Sequence, residues 1–200
     1  MISYIALIMV DMQNDFLPGG ALAVPEGDKI IPSVNQYTRF FSNLNLPVYF
    51  TRDWHPEETV HFKQGGGPWP SHCIQNTPGA EFHPDVFIPD KAEILSKGMD
   101  PRYDGYSAFD ARNEAGKRFP DLLKDQDIST FYIGGIATDY CVRATCLDAL
   151  KEGFDVYVLR DAIKGVKPED SRKAIEEITT QGAVPVTFSE VEKSLKKLRN

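Results

Sequence analysis

The chain has 200 residues, 42% of them hydrophobic and 26% charged, with a formal net charge of −7. That composition is expected to build one domain over residues 1–200 around a substantial core, and it excludes the basic face that nucleic acid or an anionic membrane surface would need. Three cysteines, an odd number, fit a reducing cytoplasm better than a disulfide framework.

In chain order, residues 4–10 are an apolar run too short to span a membrane; no basic flank precedes it and Asp11 stops it, so a first buried strand is predicted. Residues 28–44 put Ile30, Ile31, Val34, Phe41 and Leu44 on one helical face, with Pro32 tolerated in the first turn. Further strand signals fall at 47–52, 92–96, 130–135, 154–159 and 183–188. After the strand signal at 130–135, Val142, Cys146, Ala149 and Leu150 recur at helical spacing; Thr138 is the expected N-cap and Cys141 the first-turn residue. Cys141 and Cys146 are five apart and do not face each other. Pro168 opens a helix that runs to about Thr180, and Ser189 is expected to cap a last one whose solvated final turn is the lysine-rich stretch 193–199.

Strands alternating with helices predict a doubly wound α/β fold, a mainly parallel six-stranded sheet with helices on both faces, whose ligands gather at the carboxyl ends of the strands. Residues 54–91 interrupt the alternation with Gly65-Gly66-Gly67-Pro68-Trp69-Pro70 and little periodicity. A loop of that length is functional or disordered.

The reactive residues collect at one edge of this fold. Asp11 follows the first strand, Asp53 ends the second, Lys97 ends the third and Cys141 follows the fourth. Any one of them alone reads as a surface charge or a small buried thiol, but the four together fall where such a sheet builds its site. A helix N-terminus favours the Cys141 thiolate, Asp11 is the candidate base, and Lys97 can hold both by charge or else cap a carbonyl. The N–H groups of Ala137 and Cys141 are candidates for an oxyanion hole. Asp53 and His55, with His61 and His72 in the long loop, suit one divalent transition metal such as zinc, iron or manganese, whereas His83 beside Pro84 reads as a loop histidine. Phe16, Trp54, Trp69 and Tyr106 could line a flat pocket, although most aromatics are core.

Five segments carry a family resemblance: Val10-Asp11-Met12-Gln13-Asn14-Asp15-Phe16 with the following Pro18-Gly19-Gly20, Asp53-Trp54-His55-Pro56, Trp69-Pro70-Ser71-His72-Cys73, Ser96-Lys97-Gly98, and Gly135-Ile136-Ala137-Thr138-Asp139-Tyr140-Cys141-Val142. Over residues 4–188 the chain resembles the nicotinamidases of the isochorismatase-like hydrolase superfamily. The resemblance implies hydrolysis of nicotinamide to nicotinate and ammonia, in NAD salvage, through a thioester on Cys141 with Asp11 and Lys97 completing a triad. It also implies a metal held by Asp53, His55 and His72 that the pyridine nitrogen of the substrate reaches; His61 matches a ligand in some members and lies outside the shell in others. Phe16 and Trp69 resemble the walls around the ring, and Tyr106 and Ile136 further substrate contacts, with the Ile136–Ala137 bond similar to one that is cis in the family. Residues 99–102 depart from the pattern and leave substrate breadth open, with pyrazinamide expected among the substrates. The competing expectations are a metal-independent cysteine amidase for carbamoyl or ureido compounds, whose members generally lack the Asp-x-His and Trp-Pro-x-His-Cys pair, and a non-catalytic binding protein, against which the intact triad argues. The resemblance leaves monomer or homo-oligomer open.

Overall fold

A computed structural model describes residues 5–124 and 126–197. Tyr4 of the first predicted strand and residues 198–199 of the predicted last turn lie outside the described residues. The strands are β1 (Ile5–Val10), β2 (Val48–Asp53), β3 (Glu93–Lys97), β4 (Thr130–Ile136), β5 (Asp155–Lys164) and β6 (Val184–Val186); the helices are α1 (Ile31–Asn43), α2 (Phe119–Leu123), α3 (Arg143–Lys151), α4 (Pro168–Thr180) and α5 (Phe188–Lys197). All strand pairs are parallel and the order is β3-β2-β1-β4-β5-β6. The chain therefore starts in the middle, winds to one edge and restarts on the other side of β1, leaving a crevice between the carboxyl ends of β1 and β4.

β1 explains why the first apolar run does not alternate. Leu7 and Met9 join a core with Val34, Tyr37 and Phe41 of α1 and Val191 and Leu195 of α5. Ala6, Ile8 and Val10 join a second core with Leu123 of α2, Cys146 and Ala149 of α3 and Ile178 of α4. Both faces of the sheet are covered, so every position of its central strand must be apolar. The predicted doubly wound sheet is thus the observed one. All three cysteines are buried and none is disulfide-bonded. Among the described residues no helix is long and apolar enough to cross a membrane.

Some boundaries differ from the sequence expectation. A 3-10 turn occupies 27–30, so α1 starts three residues late, with Pro32 in its first turn as expected. Thr138 is not a side-chain cap: Ala137 takes the cap position, and its carbonyl accepts the N–H groups of both Tyr140 (3.0 Å) and Val142 (3.1 Å), opening a π turn at Thr138–Val142 before α3. With those donors served by a carbonyl, the Thr138 hydroxyl has no capping task. Ser189 lies inside α5; at the helix start Glu190 Oε2 accepts both the N–H and the hydroxyl of Thr187 at 2.7 Å. β5 runs to Lys164, well past the predicted 159: Arg160 and Asp161 break the apolar signal at a register shift, beyond which Ile163 and Lys164 pair with Gly135 and Ile136 of β4. Asp161 is itself used, accepting from the Tyr37 hydroxyl at 2.7 Å and from the Phe188 N–H at 2.9 Å.

The long loop is ordered by main-chain bonds. His55 N–H donates to Cys73 O (3.0 Å), Gln75 N–H to His55 O (2.9 Å) and Asn14 N–H to Glu81 O (2.9 Å), which ties residues 55–81 to the ends of β1 and β2.

Candidate active site

Four neighbouring strands supply the centre: β3 ends in Lys97, β2 in Asp53, β1 runs into Asp11, and the turn after β4 carries Cys141. Lys97 Nζ lies 2.7 Å from Asp11 Oδ2 and 3.3 Å from Cys141 Sγ, and it donates to Asp53 Oδ1. Asp11, Asp53 and Cys141 are buried, with their ligand atoms all within 4.8 Å of one another. Asp11 has a left-handed φ of 50°, an uncommon conformation for a residue with a side chain, and Thr51 fixes its carboxylate by donating to Oδ1 at 2.6 Å. Gly135 lets β4 approach this point: its φ is +110° and a Cβ there would lie 2.1 Å from Val10 O.

Burial dominates the electrostatics. Burial opposes the charge of Lys97, yet the carboxylates of Asp11 and Asp53 outweigh it and hold the ammonium well above its ordinary pKa. Burial likewise works against Asp53, but Lys97 and His55 keep it below the usual carboxylate range. Asp11 is raised by burial in spite of Lys97. Burial also pushes the Cys141 thiol well above its ordinary value, with Lys97 opposing. Burial, then the carboxylates of Asp11 and Asp53, thus work against the thiolate that the helix end was expected to favour, and Lys97 works for it.

Beside this cluster the side chains of His55, His61 and His72 also bring their ligand atoms within 4.8 Å of one another. Asp53 Oδ2 faces His55 Nε2 at 3.5 Å and His72 Nε2 at 3.9 Å. Each Nδ1–H is already used, donating to Gly98 O from His55 (3.0 Å), to Pro70 O from His72 (2.8 Å) and to Asp104 Oδ1 from His61 (2.7 Å). That leaves the Nε2 lone pairs for a ligand. Burial lowers His61 and brings His72 to about 4, so both are neutral donors near neutral pH. His55 Nε2 is buried without a hydrogen-bond partner. An orphaned imidazole nitrogen facing a carboxylate and two more imidazoles fits a divalent transition-metal ion. His61, the sequence's uncertain candidate, is grouped with the other two; His83 lies outside this group, its Nδ1 accepting from Asp85 N–H at 3.2 Å.

One cavity joins the two clusters. Cys141, Ala137, Asp53, His61 and His72 line it together with Phe16, Trp69, Tyr106 and Tyr140, and Leu22, Val24 and Val166 add an aliphatic wall. Trp69 Nε1–H donates to the Tyr106 hydroxyl at 2.8 Å, and Tyr140 stands edge-on to the indole at 4.9 Å. Trp54 is elsewhere, beneath the Arg52 guanidinium at 3.8 Å. Ile136 is fully buried and is not among the cavity-lining residues, whereas Ala137, across the cis Ile136–Ala137 bond, is. A larger open depression of about 860 Å³ lies on the other side of the Lys97–Gly98 segment, between Asp100, Arg102, Tyr103 and Arg118. Arg102 there is paired with Asp100, and the Lys97 ammonium turns away from it toward Asp11.

Three polar residues of the site carried no individual signal in the sequence. Gln13 accepts the Asp53 N–H through Oε1 (2.7 Å) and donates through Nε2 to Asp53 O and Ala80 O (both 2.8 Å), gripping the backbone of the shared carboxylate. Asp15 accepts Cys73 N–H (2.7 Å) and Ala21 N–H (3.1 Å), holding the loops of Phe16 and His72 together. Asp104 belongs to the segment after Lys97 and reaches the site only through His61. Side-chain amides and carboxylates that serve backbone or an imidazole have no fixed spacing, so only the fold reveals them.

Comparison with known proteins agrees with this geometry. The model of the isochorismatase domain matches residues 5–190. Nicotinamidase of Escherichia coli (strain K12) is 37% identical, covering 94% of this chain and 97% of the relative. Pyrazinamidase of Pyrococcus horikoshii in complex with zinc is 53% identical and superposes with a TM-score of 0.85 over 92% of this chain and 99% of that one. PnC1 from L. infantum in complex with nicotinate is 32% identical, with a TM-score of 0.82 and 94% of each chain covered. A buried Asp–Lys–Cys cluster, a histidine-rich ligand set and a doubly wound sheet with this match make the chain a member of the isochorismatase family.

Proposed function

We propose that the protein is a nicotinamidase, an amidohydrolase that converts nicotinamide to nicotinate and ammonia and also accepts pyrazinamide, with Asp11, Lys97 and Cys141 as its catalytic residues. The observation that carries this reading is the aromatic cavity lined by Cys141, Asp53, His61 and His72, with the Lys97–Asp11 pair behind the thiol and His55 grouped with the two lining histidines. The names of the relatives, nicotinamidase and pyrazinamidase, support it.

A flat heteroaromatic amide between Phe16 and Trp69 presents its carbonyl carbon to Cys141 Sγ. Asp11, with a proton affinity raised by burial, takes the thiol proton as sulfur attacks, and Lys97 balances the negative charge that moves between them. The amides of Ala137 and Cys141 receive the developing oxyanion. Asp11 then returns the proton to the amide nitrogen, ammonia leaves, and a thioester remains on Cys141. In the second half Asp11 deprotonates a water, the hydroxide adds to the thioester, and the acid departs as sulfur recovers its proton. Asp53, His55, His61 and His72 would hold the divalent ion, zinc first among the candidates with iron or manganese also suited. When bound, that ion supplies a Lewis acid for the ring nitrogen of the substrate.

Within this reading the whole chain is one hydrolase domain, it works in the cytoplasm in NAD salvage, and its partner is a small molecule, with no nucleic acid or membrane. The test is ammonia release from nicotinamide, pyrazinamide and a set of carbamoyl compounds, with metal content measured on the same sample. Turnover of the two pyridine- and pyrazine-type amides is expected, and Cys141→Ala should lose it while still binding metal. Preference for a carbamoyl compound, or turnover by Cys141→Ala, would overturn the assignment.

A further inference from the structure

The three histidines are not held alike. Gly98 O and Pro70 O fix His55 and His72, and a main-chain acceptor cannot withdraw without moving the fold. His61 is fixed instead by a side chain: Asp104 Oδ1 accepts its Nδ1–H at 2.7 Å, and the Asp104 side chain is 52% exposed while that of His61 is 2% exposed. The contact is built on both sides. The Thr59 hydroxyl and the Val60 N–H both donate to Pro101 O, at 3.2 and 2.9 Å, strapping the segment before His61 to the segment before Asp104. On the far side Gly105, with φ +68°, packs so closely on Gly98 that a Cβ would lie 2.5 Å from Gly98 N. Asp104 therefore stands at a fixed distance from the residue that holds His55.

We propose that Asp104 is a positioning residue that keeps His61 in the tautomer with Nε2 free, so that a solvent-reached carboxylate sets how long the three-histidine site retains its ion. The proposal rests on the metal-site reading above. With the Nδ1–H unclaimed, His61 can rotate or move its proton to Nε2, and the ion loses one imidazole while His55, His72 and Asp53 stay in place. Removing an acceptor of this kind typically costs 10–100-fold in metal affinity.

The experiment follows zinc, not turnover. Full-length protein loaded with one equivalent of zinc is mixed with excess chromophoric chelator, and the release rate is recorded for the parent, Asp104→Ala, Asp104→Asn and Asp100→Ala. Asp104→Ala is expected to release zinc roughly 10–100-fold faster. Asp104→Asn keeps an oxygen for the Nδ1–H and should stay within about 3-fold of the parent, and Asp100→Ala, which loses an exposed carboxylate of the same segment, should match the parent. In a His61→Ala background the Asp104→Ala change should have no further effect. Parent-like release by Asp104→Ala, equal acceleration by Asp100→Ala, or an undiminished Asp104 effect without His61 would each overturn the proposal while leaving the metal site standing. A parent protein that holds no zinc would overturn the metal-site reading itself.

Discussion

Asp53 has one oxygen in each half of the site. Oδ1 accepts from Lys97 and Oδ2 faces His55 and His72, so this carboxylate cannot be removed from one cluster alone. Asp53→Ala should weaken zinc retention and, even with zinc at saturation, lower kcat roughly 10–100-fold, because Lys97 then pairs with Asp11 only and draws down its proton affinity. Full recovery of kcat by added zinc would show that Asp53 acts through the ion alone. The residue that aims it is Gln13, buried and making three hydrogen bonds, two of them to the Asp53 backbone. Gln13→Ala leaves the Asp53 N–H without its acceptor in a dry interior, so unfolding in urea should show a loss of about 1–3 kcal/mol. An unchanged midpoint would mean that water replaces the amide. Sequence reading found Asp53 because a carboxylate at a strand end next to an Asp-x-His pattern has a chemical meaning. It passed over Gln13 as a functional residue because serving a neighbour's backbone leaves no mark in the residue types.

At the scale of elements, what was legible depended on whether one residue type dominates. β1 reads as a buried strand because two covered faces demand six apolar positions, and α4 is announced by Pro168 with Glu169 and Asp170 in its first turn. The second half of β5 and the start of α5 were misjudged where polar side chains serve tertiary partners, as Asp161 does for Tyr37 and Phe188. α3 carries a consequence for pH. Its Cys146 is fully buried against the sheet, and burial alone pushes the thiol up to about 12 from 9.0. The folded state thus binds this proton more tightly than the unfolded one, so the linked stability is whole below pH 9 and is lost as pH rises from 9 towards 12. Between pH 8 and pH 10 the parent should lose about 1.4 kcal/mol more unfolding free energy than Cys146→Ala does. Comparing the two proteins removes the parallel contributions of Cys73, Cys141 and the buried tyrosines. Equal losses would mean that the Cys146 thiol ionises without penalty in the folded chain.

For the whole molecule, the decisive arrangement is that the strand order reverses between β1 and β4, so residues far apart in sequence meet at one crevice. The alternation of strands and helices disclosed that crevice, and the reactive residues at the strand ends then had one place to go. The path of residues 54–92 was not disclosed, since it is set by main-chain bonds to the ends of β1 and β2 and not by any periodic pattern. Asp53 and His55 stand at the end of β2, while His61 and His72 belong to the loop, so an ion bound to all four would staple loop to sheet. Ligand linkage then makes the loop's stability depend on metal: at zinc 100-fold above its dissociation constant the folded state gains about 2.7 kcal/mol. Chelation should lower the melting temperature, and in hydrogen exchange it should expose amides between residues 56 and 76 while β1 and β4, at the centre of the sheet, keep their protection. Because the loop ends are also held by His55, Cys73 and Gln75 main-chain bonds, the loss should be local and reversed by zinc. Exchange that rises evenly across sheet and loop, or not at all, would show that the histidines are placed by the fold without help from an ion.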